Sequence, residues 1–147
     1  MKYSEAKQDL FTVDNTYYLA HCISADFGMG KGIAVQFNVY FDMKNRLNKK
    51  YPGYLRKFCC SNIHGDCILE DQVLNLITKE RYWGKPTYES ITQALKKCKD
   101  ICMKNGINKI AMPMIGCGLD KLNWDKVSQI IQETFKDTDI EILVCKK

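Results

Sequence analysis

A chain of 147 residues, 46% hydrophobic and 27% charged, has the size and make-up of one globular domain, expected to run over 1–147. Its formal net charge of +5 suits an anionic ligand but falls short of the dense basic stripe of a dedicated nucleic-acid binder. No apolar run approaches membrane-spanning length, and the start Met1-Lys2-Tyr3-Ser4-Glu5 lacks the apolar core of a secretory leader, so a cytoplasmic monomer with no membrane partner is expected.

Tyr17 to Ser24 is short and mostly apolar, the pattern of a buried strand. It runs into Gly28-Met29-Gly30-Lys31-Gly32. Ile33, Phe37 and Tyr40 then recur at helical spacing and predict a helix to about Phe41. Asn45 to His64 is basic and contains Pro52-Gly53, which predicts a helix followed by a loop. Asp66 to Glu70 and Gln72 to Thr78 read as two tightly joined strands. Pro86-Thr87 opens a helix with the apolar stripe Ile91, Leu95, Cys98 and Cys102, and Gly106 marks its end. Lys109 to Met112 is a short strand. Asn123 is placed to cap the next helix, where Val127, Ile130, Ile131 and Phe135 share a face. Ile140 to Cys145 closes the chain as an apolar strand. Strands alternating with helices predict an α/β domain.

The chain has eight cysteines. Cys22, Cys67, Cys117 and Cys145 sit in apolar, strand-like runs, and Cys98 and Cys102 share a helix face, where cysteine behaves as a small hydrophobe. With no export signal, a disulfide framework is not expected. There is no Cys-x-x-Cys pair, and the two histidines, His21 and His64, are far apart, so neither a metal site nor a cofactor is expected.

Two glycine-rich segments each follow an apolar strand and precede a helix: Gly28 to Gly32, and Gly116-Cys117-Gly118. In open α/β sheets ligands gather at the carboxyl ends of strands. Glycines let the backbone approach a ligand and aim N–H groups at it, and a following helix adds the positive end of its dipole. Two readings stand: simple tight turns, or two halves of a phosphate cradle. The first segment lacks the Gly-Lys-Ser/Thr ending of a P-loop, and its Gly-x-Gly-x-Gly spacing is not the dinucleotide fingerprint.

Six segments together resemble a known family. They are Asp9-Leu10-Phe11, Ala20-His21-Cys22-Ile23-Ser24, Met29-Gly30-Lys31-Gly32-Ile33-Ala34, Leu76-Ile77-Thr78-Lys79, Lys85-Pro86-Thr87-Tyr88-Glu89 and Met112-Pro113-Met114-Ile115-Gly116-Cys117-Gly118-Leu119-Asp120. They are similar to macro domains, in the branch of terminal ADP-ribose protein glycohydrolase and its bacterial antitoxin relatives that strip ADP-ribose from DNA. The resemblance covers nearly the whole chain. It implies a three-layer α/β/α fold with a mixed central sheet, and ADP-ribose or an ADP-ribosylated protein or nucleic acid as partner. It implies that Asp9 accepts a hydrogen bond from the adenine amino group and that the Leu10 backbone lines the adenine pocket. Ser24 and the loop Gly30 to Ala34 would meet the distal ribose and the phosphates. Gly116, Cys117, Gly118 and Leu119 would hold the pyrophosphate and distal ribose from the other side. His21, Cys22, Ile23, Met29, Gly32, Ile33, Pro113, Met114 and Ile115 complete the implied binding set. Lys79 and Asp120 match the catalytic lysine and aspartate. The chain departs from the family at Gln8, where glycine is usual, at Met114, where a relative has arginine, and in its Val144-Cys145-Lys146-Lys147 tail, which leaves Phe11 as a candidate to pack on adenine.

The chemistry so implied breaks a bond at the anomeric carbon of the distal ribose. An amine can capture that carbon covalently, but only in its neutral form, which an ordinary lysine with a pKa of ~10.4 holds in the minority at neutral pH. Asp120 is the candidate to take the proton. In the rival route Asp120 activates a water and Lys79 supplies charge to the leaving group. Without the resemblance, Lys79 reads as a surface lysine ending a strand and Asp120 as a turn residue. A Cys117–His21 dyad lacks an evident orienting partner, and His21 reads better as a buried residue. An ADP-ribosyl hydrolase leads, acting on a protein acidic-residue ester, O-acetyl-ADP-ribose or a nucleobase adduct. The alternatives are a reader that binds without turnover, an ADP-ribose-1″-phosphate phosphatase, and a nucleic-acid module using the basic stretch Lys44 to Lys57.

Overall fold

Residues 1–118 and 120–146 are described by the computed structural model. Leu119, one of the residues expected to hold the pyrophosphate, lies outside them. The strands are β1 (Lys2–Lys7), β2 (Tyr18–Ser24), β3 (Asp66–Glu70), β4 (Val73–Lys79), β5 (Lys109–Met112) and β6 (Glu141–Lys146). They form one sheet in the order β1-β6-β5-β2-β4-β3. β1, β6, β5, β2 and β4 run parallel to their neighbours, and β3 pairs antiparallel with β4. The sheet is therefore mixed, and five strands end at the same rim.

Side chains alternate across a strand, so each strand feeds two cores. Ala20, Leu74 and Leu76 face a cluster completed by helices α4 (Tyr88–Asn105) and α5 (Trp124–Phe135) through Ile91, Leu95, Val127 and Ile131. Leu19, Ile23, Val73 and Ile77 face the opposite cluster. There α1 (Ile33–Phe41), α2 (Met43–Lys50) and α3 (Tyr54–Cys60) contribute Phe37, Met43, Leu47 and Phe58. Two helical layers on a mixed sheet give the expected α/β/α sandwich. Among the described residues no helix is long and apolar enough to cross a membrane.

The helix ends follow the sequence closely. The Thr87 side chain accepts from Ser90 N, the Ser90 hydroxyl accepts from Thr87 N, and Gly106 closes α4 in the left-handed region. Asn123 caps α5 by accepting from Lys126 N. The structure adds to or corrects the sequence reading in three places. Lys2–Lys7 is an edge strand that its polar composition hides. Asn45 to His64 holds parts of two helices, because Gly53, at φ 74°, reverses the chain between them. Tyr40 is exposed, and α1 buries Ala34 and Phe37.

All eight cysteines are free thiols. Cys67, Cys98 and Cys102 are buried in the α4–α5 cluster and Cys145 in the opposite one, acting as small apolar residues there.

Candidate functional site

β2 lies between β5 and β4, so the loop that leaves it stands between the β5 connection and the end of β4. Lys79 is the last residue of β4, and Asp120 lies in the connection from β5 to α5. The Lys79 Nζ reaches Asp120 Oδ1 at 3.0 Å, bridging the carboxyl end of β2. The two side chains keep 15% and 20% of their surface exposed, so the pair is shielded from bulk water yet open to a substrate. Cys22 sits close by. Burial and the Asp120 charge push its thiol up to about 12, which keeps it protonated and unreactive.

The first glycine loop is fastened at its base. The β2–β4 ladder continues past the strand ends through Ala25 N to Lys79 O at 2.9 Å and Asp26 N to Glu80 O at 3.1 Å. The buried Ser24 hydroxyl donates to Asp26. Asp26 also accepts from Gly28 N and from Tyr82 N, each at 3.0 Å. Burial would raise its pKa. The Ser24 hydroxyl, these two amides and the Arg81 charge outweigh that and hold it below the usual carboxylate range. Gly32 precedes α1 at φ 63°, ψ −152°, a conformation essentially restricted to glycine. It offers no side chain to cap α1; Val35 N turns back to Gly32 O at 3.2 Å, and the N–H groups ahead of it have no side-chain acceptor and are available to an anion. A Cβ on Gly30 would meet nothing within 4 Å.

The second loop turns at Gly116, φ 73°, where Leu122 N donates to Gly116 O at 2.8 Å. Asn123 N donates to the Tyr88 hydroxyl at 3.1 Å, tying the start of α5 to the start of α4. A Cβ on Gly118 would also meet open space. Lys79, Asp120, Ser24 and both loops thus share one rim.

Several residues named for ligand contact have their side chains elsewhere. His21, Ile23, Met29, Ala34 and Ile115 are buried, leaving mainly backbone to offer at the rim. The His21 ring stacks on Phe37 at 3.8 Å and its Nε2 bonds Asn75 Oδ1 at 2.7 Å. Burial, opposed by that hydrogen bond, depresses its pKa to about 4. Cys117 packs against the α4–α5 cluster and its thiol is raised by burial, so the two lie on opposite faces of the sheet and form no dyad. Asp9 accepts from Phe11 N at 2.9 Å and so caps a single 3-10 turn, Leu10–Thr12. The Phe11 ring packs on Phe37 and Tyr40. A cavity of about 340 Å³ lined by Phe11, Tyr17, Tyr40 and Phe41 draws on neither glycine loop. Pro113 and Met114 are half-buried beside the second loop. Among the described residues no group of three or more His, Cys, Asp or Glu side chains is arranged to hold a metal ion.

The sequence reading missed Asp26 and the loop that carries Tyr82. The Ser-x-Asp-x-Gly spacing at Ser24 to Gly28 was an available signal, since aspartate accepts from backbone amides two residues on in such turns.

The family model for the Macro domain matches residues 21–131. The chain is 42% identical to "ADP-ribose glycohydrolase OARD1" of Homo sapiens over 142 residues, covering 94% of this chain and 87% of that protein. The structure is similar to the "Macrodomain of Thermus aquaticus DarG", with a TM-score of 0.82 at 22% identity, covering 99% of this chain and 98% of that one. It is also similar to "Thermosipho africanus DarTG in complex with ADP-ribose", with a TM-score of 0.75 at 18% identity, over 99% of this chain and 42% of that one.

Proposed function

We propose, from the premise that this chain belongs to the macro domain family, that it is an ADP-ribosyl hydrolase cleaving the bond at the anomeric carbon of the distal ribose. The reading is supported by the name of the human relative, an ADP-ribose glycohydrolase, and by the complex of a structural neighbour with ADP-ribose. The observation that carries it is the 3.0 Å Lys79–Asp120 pair beside two glycine loops. A reader module needs neither group.

The residues divide the work as follows. The Gly28–Gly32 backbone and the first turn of α1 hold the diphosphate from one side, and the Gly116–Gly118 backbone holds it from the other. Ser24 and the loop from Gly30 to Ala34 meet the distal ribose. Asp9 and Leu10, at the β1 end of the rim, take the adenine. Asp120 accepts a proton from the Lys79 ammonium. The freed lone pair forms a bond to the anomeric carbon as the bond to the leaving group breaks, and the leaving group departs with its electron pair. This adduct exchanges with its ring-opened Schiff base; water then adds to the sugar carbon and gives up one proton to the departed leaving group, the C–N bond breaks with its electron pair returning to nitrogen, and the amine regains its proton from Asp120.

Release of free ADP-ribose from a glutamyl-ADP-ribose peptide, O-acetyl-ADP-ribose and an ADP-ribosylated nucleobase tests the activity. At least one substrate is expected to turn over. Tight binding of ADP-ribose with no release from any of them would identify a reader instead. Borohydride during turnover should trap a covalent adduct on Lys79. Turnover with no trapped adduct would favour the water route.

A further inference from the structure

Three residues past Lys79 the chain exposes two adjacent rings. Trp83 is 66% exposed and Tyr82 56%, with centroids 4.9 Å apart and planes at 87°. The Arg81 guanidinium lies 5.6 Å from the centre of the Trp83 ring. Scattered exposed apolar side chains are ordinary, but a paired aromatic surface with an arginine on it, beside a reactive centre, calls for a function.

Strand order gives it a direction. Asp9 follows β1, one edge of the rim, and the glycine loops follow β5 and β2. Lys79 ends β4, and Glu80 to Gly84 lie beyond it. On the hydrolase reading, which this inference rests on, adenine, diphosphate and distal ribose lie along that order. The group attached to the ribose then projects past Lys79 toward Arg81, Tyr82 and Trp83.

One neighbouring helix brings cations: of the basic residues between 43 and 65, Arg56 and Lys57 lie on α3, whereas Arg46 and Lys50 pair with Glu70 and Asp71 at the opposite end of β4. α3, which carries Arg56 and Lys57, touches this loop through Cys59 Sγ and Glu80 Oε2 at 3.1 Å. The loop itself is held firmly. Tyr82 N is bound by Asp26, and Gly84 N donates to Arg81 O at 2.9 Å.

We propose that Arg81, Tyr82 and Trp83 form the subsite for the leaving group and make the hydrolase favour substrates whose leaving group presents a planar ring. The indole and phenol supply flat apolar faces, and the guanidinium stacks while reaching a neighbouring anion. An acyl ester offers no such ring.

The test compares kcat/KM for an ADP-ribosylated nucleobase in a short oligonucleotide with kcat/KM for O-acetyl-ADP-ribose. Stacking of one base on one aromatic ring corresponds to roughly 5- to 150-fold, so the ratio should fall by about 10-fold in Trp83→Ala and largely recover in Trp83→Phe. An unchanged ratio, or an equal fall for a glutamyl-ADP-ribose peptide, overturns the proposal. The same preference is read without turnover as the affinity of the nucleobase conjugate relative to bare ADP-ribose in Lys79→Ala, with and without Trp83→Ala. Absence of turnover by the native protein therefore sinks the hydrolase reading. Absence of the Trp83 effect on relative affinity sinks the subsite.

Discussion

The Asp26 carboxylate accepts the backbone N–H of Tyr82 at 3.0 Å, so one side chain fastens the first glycine loop to the loop that follows Lys79. Its other oxygen accepts from Gly28 N, and the two loops cannot drift apart while both bonds hold. Asp26→Asn keeps the volume but loses the charge and one acceptor. It should lower affinity for ADP-ribose about 10-fold and stability by about 1–2 kcal/mol, in line with partly exposed charge-assisted bonds. Calorimetric titration and urea unfolding measure the two effects. A loss of stability with unchanged affinity would mean that Asp26 serves only the fold.

Lys79→Ala and Asp120→Ala should each cut kcat by about 10²- to 10⁴-fold while affinity for ADP-ribose stays within a few-fold. The double variant should be little worse than either single one, because the two groups act as a unit. Multiplying losses would argue that they act separately.

Gly30 and Gly65 separate ligand space from packing space. An alanine Cβ at Gly30 meets nothing within 4 Å. At Gly65 it would lie 2.2 Å from Ser90 O and 2.8 Å from Ala94 N, so α4 would have to move. Gly65→Ala should cost about 2–3 kcal/mol. Gly30→Ala should leave stability within about 0.5 kcal/mol, yet weaken ADP-ribose binding about 10-fold by filling the space the diphosphate needs. Thermal unfolding and titration of both proteins decide this. Equal affinity for the native protein and Gly30→Ala would remove this loop from the ligand site.

His21 makes stability depend on pH. Its pKa is about 4 folded and 6.5 in the exposed reference, so the unfolded chain binds more protons between those values. The contribution is complete above pH 6.5 and is lost as pH falls toward 4, amounting to roughly 3 kcal/mol. Glu5 and Asp26, whose pKa values are lowered, lose their contributions as pH falls through the carboxylate range. Urea unfolding from pH 7.5 to 4 should show the slope in the native protein and a much smaller one in His21→Gln. Parallel curves would place the titration elsewhere.

How legible these features were depends on how local their cause is. Thr87, Gly106 and Asn123 act on their own helix ends, and each does what its residue type suggests. The buried strands Tyr18–Ser24 and Val73–Lys79 carry their own apolar pattern. β1 does not, because Lys2, Ser4, Glu5 and Lys7 lie exposed on an edge and the strand is defined by its partner β6. At the site, Lys79 and Asp120 are unremarkable residues singly, and a resemblance was needed to pair them. Asp26 escaped notice since its bond to Tyr82 spans 56 positions. His21 reads from its apolar run as a buried residue, while the resemblance puts it among the ligand contacts. What decides is Asn75, whose position on the neighbouring strand fixes the imidazole in the core.

The amine ends β4 and the carboxylate lies in the connection that leaves β5, two strands that do not touch each other; β2 is wedged between them. The segment from β4 to Asp120 lacks the strand that sets their spacing, so β2, some fifty positions earlier in the chain, is part of what keeps the two groups 3.0 Å apart. Turnover therefore requires β2 to be seated between β4 and β5, which the helical far-ultraviolet signal of α4 and α5 does not by itself report. Enzymatic competence is thus a readout of the assembled middle of the sheet.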